Sequence, residues 1–397
     1  MLTRVEIDNY KSIGHTDLTF SEETVVVGPN GVGKSNLLDA IHFLRDATVE
    51  GLDHAVTKRH GITSIRRWSK TRPYNIILKL HFCSGEDRGY YRVVISSSGG
   101  EFSILEEEAF WHGTNPMRPQ ADGKPVKEDF RFVRKNGKAP EFDIPNNPFA
   151  LNYRYTPPQA ELAISQMGRS GSSAYSLFFM GLHKELSSCG AYSIYPNRIR
   201  EPQSISNADV LADDGSNLAS IIRQMRSTSH RNSKESLTSA MRQVLPILSE
   251  IRIESAGGFF VPVFRVREAD KGPSHDLNMS QLSDGTLRML GMLTAFYQPM
   301  APNRITLEEP EQMIHPGLLP VLIESSKDFL ALNDDRQTFF TTHSPTFLDF
   351  FEVENIISAQ NIGGSTTFNA MAPRQIKLVK DRLFTSGELL IAEGIMS

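Results

Sequence analysis

Strand-like and helix-like spacings of apolar residues alternate at the start of the chain. Leu2–Ile7 and Leu18–Phe20 are short apolar runs that predict β-strands, and Glu23–Val27 ends in the β-branched residues of a buried strand. After a glycine-rich turn, apolar residues recur at helical spacing, which predicts a helix over Asn36–Arg45. A strand, a glycine turn and a helix in this order form one half of a βαβ unit.

The next region has the period of two that is typical of β-sheet. Ile76–Phe82 and Tyr90–Ile95 alternate on either side of the turn-forming segment Gly85–Asp87, which predicts a pair of antiparallel strands. Residues 112–150 are rich in Pro, Gly, Asn and charged side chains, and this composition predicts irregular surface structure.

Helical spacing returns in the second half of the chain. Apolar stripes that begin at Leu218 and at Leu237 are separated by a polar break at 227–234, so we predict a pair of helices. No heptad repeat continues long enough for coiled-coil arms. Two strand-and-loop units are predicted further on, around 304–316 and 337–349.

The glycine turn after the third strand, Gly28–Ser35, has the sequence GPNGVGKS and fits the pattern G-x-x-x-x-G-K-[ST]. Its glycines let several backbone N–H groups converge on phosphate oxygens. Lys34 is expected to reach the β- and γ-phosphates, and the Ser35 hydroxyl to bind Mg²⁺. A chance match is the alternative, but the pattern lies between a strand and a helix, as the mechanism requires. We therefore predict nucleotide binding.

Two later strand ends carry candidate catalytic groups. The predicted strand Ile305–Leu307 runs into Glu308 and Glu309, and a second strand is followed by His343. One carboxylate can hold a metal-bound water, and the next can orient the attacking water as a general base. His343 is suitably placed to bind a γ-phosphate. The alternatives are a solvated acidic turn and a structural histidine.

A second phosphate site is predicted in the segment Ser280–Arg288, which has the sequence SQLSDGTLR and opens a helix predicted over Arg288–Tyr297. Ser283, Gly285 and a helix N-terminus together form an anion site. Within one chain this site has no evident partner. A head-to-tail dimer supplies one, because the segment would then cover the γ-phosphate held by the other subunit.

Together these motifs resemble the SMC/RecF/OLD-like branch of the ABC-type ATPases, especially compact stand-alone members with an LSDGTLR signature, an EEPE Walker B end and a THSP histidine loop. Asn9–Ser12 also resembles the aromatic-plus-basic opening of these proteins. The resemblance covers about 1–50 and 277–360, and it extends to Asp214–Leu218. It implies an α/β P-loop NTPase fold of the ABC-ATPase type, in which a mixed central sheet carries an antiparallel β-subdomain and a helical insertion.

The resemblance also implies a role for each matching residue. Glu309 and His343 act with Lys34 in catalysis, and Glu308 joins Ser35 at the metal. Residues expected to contact ATP are Asn30, Gly31, Gly33, Lys34, Ser35, Asn36, Ser283 and Gly285. Glu308 departs from the family, because most ABC ATPases have aspartate there. His315 lies in the region of the dimer-contacting D-loop, with a structural role as the alternative, and no Q-loop glutamine is assigned.

Composition and charge narrow the class of protein. The chain has 397 residues, of which 39% are hydrophobic and 22% charged, with a net charge of −4, as in ordinary soluble proteins and unlike chains whose whole surface binds DNA. No signal peptide or membrane-length apolar run is present, so we expect a cytoplasmic protein without membrane contact. Several basic clusters have two interpretations: they contact nucleic acid locally, or they are solvated surface loops. They are Lys58–His60, Arg66–Arg72 with Trp68, Arg198 with Arg200, and Arg223–Arg231.

We predict three divisions: an N-terminal ATPase lobe with Walker A (Gly28–Ser35) and the β-subdomain (1–158), a helical insertion (159–255) and a C-terminal ATPase lobe with the signature, Walker B and the histidine loop (256–397). The chain is expected to hydrolyse ATP as a homodimer or higher homo-oligomer with composite ATP sites. The favoured role is the sensor or regulator of a prokaryotic antiviral defence system that controls a separate effector, a nuclease or toxin. The alternative is a RecF-like ATPase that acts in DNA repair or binds DNA ends. The histidine loop and signature argue against a transporter motor.

Nuclease activity of the chain itself is not expected. Only 54 residues (397 minus 343) follow His343, whereas a packed catalytic domain takes on the order of 100. The carboxylates in this tail are scattered and form no paired-acid strand end for two-metal hydrolysis.

Overall fold

The computed structural model describes residues 1–70, 73–98, 100–115, 117–118, 126–145, 156–170, 174–225, 231–267 and 272–395. The contacts within the chain divide it into two compact units. Unit 1 comprises Met1–Cys189, Glu354–Pro373 and Ile395–Ser397, and unit 2 comprises Gly190–Val353 and Arg374–Gly394. The middle segment 159–255 contributes to both units, while the three-part division of the chain stays a prediction.

The strands in the described residues are, in chain order, β1 (Leu2–Tyr10), β2 (Ile13–Thr19), β3 (Glu23–Val27), β4 (Ile76–Ser84), β5 (Asp87–Ser98), β6 (Glu101–Thr114), β7 (Lys127–Lys135), β8 (Glu141–Asp143), β9 (Cys189–Tyr192), β10 (Gln203–Ser204), β11 (Leu248–Ala256), β12 (Phe259–Arg267), β13 (Ser274–Asn278), β14 (Arg304–Glu308), β15 (Gln337–Thr342), β16 (Ile356–Ile362) and β17 (Ser365–Ala370).

The α-helices in the same residues are α1 (Lys34–Val49), α2 (Leu52–Lys58), α3 (Ile62–Ile65), α4 (Ala163–Ser170), α5 (Ala174–Ser187), α6 (Pro196–Arg200), α7 (Leu218–Gln224), α8 (Arg231–Val244), α9 (Asp284–Tyr297), α10 (Leu319–Leu330), α11 (Pro345–Leu348), α12 (Pro373–Lys380) and α13 (Ser386–Ala392). None of them is long and apolar enough to cross a membrane.

The strands of unit 1 form a mixed sheet in the order β8-β7-β6-β5-β4-β1-β2-β17-β16-β3. Neighbours from β8 to β2 are antiparallel. In contrast, β17 pairs with β2, and β16 with β3, in parallel. The predicted antiparallel β-subdomain and mixed sheet are therefore confirmed. The hairpin β16–β17, which comes late in the sequence, lies between β2 and β3, which come from the start of the chain.

The prediction of irregular structure over 112–150 is wrong for most of the described part. There β6 continues to Thr114 and is followed by β7 and β8. Phe130 and Phe132 are fully buried and alternate with exposed charged residues such as Arg131. The many charged residues on the exposed face of these strands hid the strand-like alternation of buried and exposed positions. The remaining positions, 116, 119–125 and 146–150, lie outside the described residues.

A buried ion pair joins the β-subdomain to the start of α4. Glu107 and Arg134 are at most 1% exposed. The Glu107 carboxylate accepts hydrogen bonds from the N–H groups of Ala163 and Ile164 at 2.8 and 3.0 Å, and Arg134 donates to the carbonyl oxygen of Glu161 at 2.6 Å. These contacts satisfy backbone groups that a helix start leaves without partners. They fix the segment that leads from the sheet into α4.

Unit 2 contains the parallel pair β14–β15 and a separate antiparallel sheet. In that sheet β12 pairs with β11 along one edge and with β10 and β13 along the other. The helices α9 and α10 contact each other, and they contact β14 and β15 respectively. The predicted helix pair is confirmed as α7 and α8, although α8 begins at Arg231, inside the predicted polar break, and positions 226–230 lie outside the described residues.

Candidate nucleotide site

The phosphate loop connects β3 to α1 and is shaped by its glycines. Gly31 and Gly33 have φ values of 74° and 104°, in the left-handed region that favours glycine. A Cβ atom at Gly28 would lie below 3.0 Å from the carbonyl oxygen of Ala359, and one at Gly33 below 3.0 Å from the hydroxyl of Thr366. Glycine is therefore required at Gly31 by the backbone conformation, at Gly28 by the close approach, and at Gly33 by both. The loop has the tight backbone that a phosphate cradle needs.

Side chains from two distant parts of unit 1 support the loop. Thr366 Oγ1 donates to the carbonyl oxygen of Val32 at 2.6 Å and lies 2.5 Å from Ser12 Oγ. Asn36 Nδ2 donates to the same Ser12 hydroxyl at 2.7 Å. The Asn36 amide thus binds a side chain of the protein, Ser12. Its contact with ATP stays a prediction.

The outer face of the loop carries the predicted phosphate and metal ligands. Asn30, Gly31 and Ser35 are exposed, whereas Lys34 is only 5% exposed. Lys34 Nζ donates hydrogen bonds to the carbonyl oxygens of Gly28 and Pro29 at 2.9 and 3.2 Å. Phosphate oxygens would compete with these neutral acceptors, and a charged acceptor makes the stronger bond to an ammonium.

Helix α1 is anchored beside the loop by a cluster of ion pairs around Asp39. This carboxylate contacts Tyr10 Oη at 2.7 Å, Lys11 Nζ at 2.6 Å and Arg59 Nε at 2.7 Å. Burial alone would raise the pKa of Asp39, but Arg59 and Lys11 outweigh it and hold that pKa below its usual value. Arg59 is 8% exposed and also pairs with Asp46. Its guanidinium therefore belongs to the interior, not to a nucleic-acid contact.

In unit 2, the parallel register of β14 and β15 brings the predicted catalytic groups to one edge. Glu308 pairs with Thr341 at the ends of the two strands. His343 Nδ1 lies 3.3 Å from Glu309 Oε1. The other carboxylate oxygen of Glu309 accepts a hydrogen bond from Gln312 Nε2. The structure thus brings together Glu309 and His343, which the sequence separates by 34 positions (343 minus 309).

The backbone of Glu309 is in the left-handed region, with φ at 42°. Its N–H group donates to the carbonyl oxygen of Thr341 at 3.0 Å. A non-glycine residue in this conformation costs about 1–3 kcal/mol and persists only where the surroundings hold it, which is common at functional sites.

The signature segment, Leu282–Arg288, includes the N-terminus of α9, which begins at Asp284 and not at the predicted Arg288. Ser283 is the N-cap, and its Oγ accepts from the N–H of Thr286 at 3.1 Å. A Cβ atom at Gly285 would lie below 3.0 Å from the carbonyl oxygen of Met313, so glycine lets this helix start touch the turn after Glu309. The helix dipole favours anions at this end.

Arg200 holds the signature segment, a role that the sequence analysis missed. Its guanidinium donates to the carbonyl oxygen of Leu282 at 2.9 Å and pairs with Asp284 at 2.5 Å. In the basic pair Arg198 and Arg200, the guanidinium of Arg200 therefore binds groups of unit 2 itself. His315 likewise has a structural role, because its Nδ1 accepts from the N–H of Gly317 and caps the short 3₁₀ helix Pro316–Leu318.

Comparison with known proteins agrees with this arrangement of motifs. Residues 24–349 match the family model described as "AAA domain, putative AbiEii toxin, Type IV TA system". The chain is 35% identical over 118 residues to structural maintenance of chromosomes protein 1 of Schizosaccharomyces pombe, which is 27% of this chain and 10% of that protein. It is 49% identical over 45 residues to the DNA replication and repair protein RecF of Porphyromonas gingivalis, which is 11% of this chain and 12% of that protein. The chain thus spans about a tenth of the length of these curated relatives.

A solved structure has the same fold along most of the chain. This is the SMC head bound to the C-winged helix domain of ScpA, with a TM-score of 0.53 over 95% of this chain and 99% of that one, at 13% identity. The family match covers most of the chain, and both the fold and the sequence relatives agree with it. The chain therefore belongs to the AAA-domain family so described, and it is an ABC-type ATPase of the SMC/RecF branch.

Proposed function

We propose that this chain is a dimeric switch that binds and hydrolyses ATP and reports its nucleotide state to a separate effector protein. The observation that carries the proposal is the pairing of His343 with Glu309 at the end of β14, with the signature helix α9 starting against the turn that follows. A hydrolytic switch needs a general base, a polar group that binds the γ-phosphate and a helix N-terminus that binds anions.

Each unit contributes its own chemistry in this proposal. In unit 1 the loop N–H groups and Lys34 bind the phosphates. In unit 2 Glu309 takes the proton of the attacking water, and His343 both orients Glu309 and binds the γ-phosphate. Charged side chains aimed at developing phosphate charge are the main source of catalysis in this reaction class.

The metal ligands fit Mg²⁺ by their chemistry. Ser35 offers an exposed hydroxyl on the phosphate loop, and Glu308 offers a carboxylate at a strand end. Oxygen ligands of this kind suit Mg²⁺, which usually keeps several waters and takes few protein groups. When bound, Mg²⁺ neutralises the charge that develops on the β- and γ-phosphates.

Dimerisation follows from the second phosphate site. Ser283, Gly285 and the N-terminus of α9 provide an anion site in addition to the phosphate loop. We propose that it covers the γ-phosphate held by a second copy, so that ATP closes the dimer and hydrolysis opens it. The Ser283 hydroxyl already caps α9, so the backbone N–H groups and the helix dipole carry most of this contact.

The biological role that we favour is the control of an effector, a nuclease or toxin, in antiviral defence. The SMC head in the solved structure is bound to a winged-helix domain, and we propose a protein partner for this head by analogy. The match to RecF is compatible with the alternative, a DNA-repair or end-binding ATPase. Stimulation of ATP hydrolysis by linear duplex DNA would favour this alternative. Co-purification with a nuclease or toxin would favour the first.

Mixing two inactive variants tests the composite site. We expect Lys34→Ala and Ser283→Arg to be inactive separately, the first through lost phosphate binding and the second through a blocked interface. In their heterodimer both lesions fall in one composite site, and the other site is intact. Random pairing should therefore restore about one quarter of the wild-type activity when the two sites act independently. The measurement is steady-state phosphate release from an equimolar mixture.

Two controls accompany the mixing experiment. A chain that carries both substitutions, mixed with wild type, forms heterodimers without an intact site, so it should lower the activity per wild-type chain. Ser283→Ala removes only the helix cap, at about 1 kcal/mol of stability. It should remain far more active than Ser283→Arg. A mixture of single variants that dimerises and stays inactive contradicts the composite site.

We expect the purified chain to leave DNA intact. The paired carboxylates at the end of β14 are assigned to ATP, and any destructive output is proposed to come from the effector. Incubation of supercoiled plasmid with the isolated protein, Mg²⁺ or Mn²⁺ and ATP should give no nicked or linear product. Cleavage that persists in the wild type and is lost in a Glu308→Gln variant would move the chain to the nuclease class.

A further inference from the structure

Arg288, the last residue of the signature sequence, links two loops of unit 2. It lies in α9 and is 8% exposed. One arm of its guanidinium donates to the carbonyl oxygen of Ile194 at 3.1 Å, and the other donates to the carbonyl oxygen of Glu309 at 3.1 Å. A planar guanidinium fixes the relative positions of two acceptors in a way that a single ammonium cannot.

The bond to Glu309 completes the support of a strained backbone. The N–H group of Glu309 is held by Thr341 of β15, and its carbonyl group is held by Arg288 of α9. The φ of 42° at Glu309 needs such support, because the left-handed region is unfavourable for a residue with a side chain. Loss of either bond would let this backbone relax and turn the carboxylate.

The placement of Arg288 is costly for the fold. Among the described residues, Arg288 Nε is buried without a hydrogen-bond partner, and so is Oε2 of Glu311. Burial lowers the pKa of the Arg288 guanidinium from its ordinary value, and the nearby carboxylates of Glu311 and Glu309 oppose this effect. A buried charge with an unused donor is destabilising, and an apolar side chain of similar volume is often at least as stable. Stability alone does not account for an arginine here.

The N-terminal end of the signature segment is also held by contacts within unit 2. Arg200 binds both the carbonyl oxygen of Leu282 and the carboxylate of Asp284. Gly285 packs closely against the backbone of Met313. A displacement at the start of α9 therefore moves Arg288 with it, and Arg288 contacts the Glu309 backbone directly.

We infer that Arg288 is a positioning residue that couples the signature segment to the orientation of Glu309 in the same chain. Contact of the signature segment with the nucleotide of a second copy shifts the start of α9, and Arg288 transmits that shift to the Glu309 carbonyl. The base is then aligned only when the dimer is closed. This inference rests on the proposed function, in which Glu309 is the general base and Ser283–Gly285 contacts the nucleotide.

The test is the variant Arg288→Lys, which keeps the charge but cannot bond to both carbonyl groups in the same geometry. We expect kcat for ATP hydrolysis to fall by about 10- to 100-fold, the scale of a misplaced catalytic group, with KM for ATP changed by less than about 3-fold. Should Arg288→Lys lower the Tm too far for kinetics, Arg288→Gln replaces it, since its amide still reaches one carbonyl and brings no charge.

The matched control is Arg304→Lys. Arg304 is another buried arginine of unit 2, 1% exposed, at the first residue of β14. It stands at the end of the strand opposite to Glu308, about 13 Å away at the usual rise per residue. We expect this variant to lower the Tm and to leave kcat unchanged. A similar fall of kcat in both variants would show a general effect of core damage and overturn the inference.

The decisive readout is a double-mutant cycle with Glu309→Gln, measured under single-turnover conditions. If Arg288 acts through Glu309, Arg288→Lys slows the wild type but has little further effect in the Glu309→Gln background. An equal factor in both backgrounds, or an unchanged kcat, overturns the inference and leaves the proposed function intact. A wild-type chain that hydrolyses no ATP, or normal turnover by Glu309→Gln, overturns the proposed function and the inference together.

Discussion

The Lys34→Ala variant should hydrolyse no measurable ATP and bind it weakly. Lys34 supplies the cation of the phosphate loop, and alanine leaves the loop N–H groups to bind a polyphosphate without it. The side chain now donates to two carbonyl groups of its own loop, so the loss also frees these acceptors. Phosphate release measures turnover, and the rise of Tm on addition of ATP measures binding.

The control for Lys34 is Lys135→Ala, because Lys135 is exposed at the end of β7 in the same unit. It should match the wild type in turnover and in the Tm shift. At ATP concentrations about 100-fold above Kd the wild type gains about 2.7 kcal/mol of stability, whereas Lys34→Ala should gain far less. Normal turnover by a folded Lys34→Ala protein would contradict the assignment of this loop as the phosphate-binding loop.

The Glu309→Gln variant should bind ATP but hydrolyse it about 10²- to 10⁴-fold more slowly, which is the usual range for loss of a general base. The amide keeps the volume of the side chain and its contacts with Gln312 and His343, but it cannot accept the proton of water. The protein should accumulate as a closed dimer in ATP and Mg²⁺. Single-turnover hydrolysis and size-exclusion chromatography measure the two effects.

Two carboxylates test the specificity of this result. Glu324→Gln changes an exposed residue of α10 and should leave turnover unchanged. Glu308→Gln should weaken the dependence on Mg²⁺, because Glu308 is assigned to the metal. If Glu308→Gln traps ATP and Glu309→Gln turns over normally, the roles of the two carboxylates are reversed.

The parts of the site that the sequence predicts well are those defined by short stretches of chain. The loop between β3 and α1 has a spacing of glycines and a lysine that is specific to phosphate loops, and Ile305–Leu307 before Glu308 is a short strand-like segment. Local patterns also place His343 at the end of a strand. The resemblance to a family then assigns roles that the patterns alone leave open.

The residues that support these groups could not be predicted in this way. Thr366 contacts the phosphate loop from a hairpin near the end of the chain, and Arg200 contacts the signature segment from a short helix 82 positions away. Each is an ordinary polar residue in an unremarkable sequence context. Only the pairing of strands and the packing of helices bring them to their partners. Arg288 was visible as part of the signature, but its acceptors were not.

The bond between Thr366 and Val32 joins positions that are 334 residues apart in the sequence. During synthesis from the N-terminus, the phosphate loop is made 334 residues before the hydroxyl that holds it. A nascent chain therefore carries the nucleotide motif long before that motif has its final support. Any chain that stops before β17 carries the nucleotide motif without the hydroxyl that holds the Val32 carbonyl group.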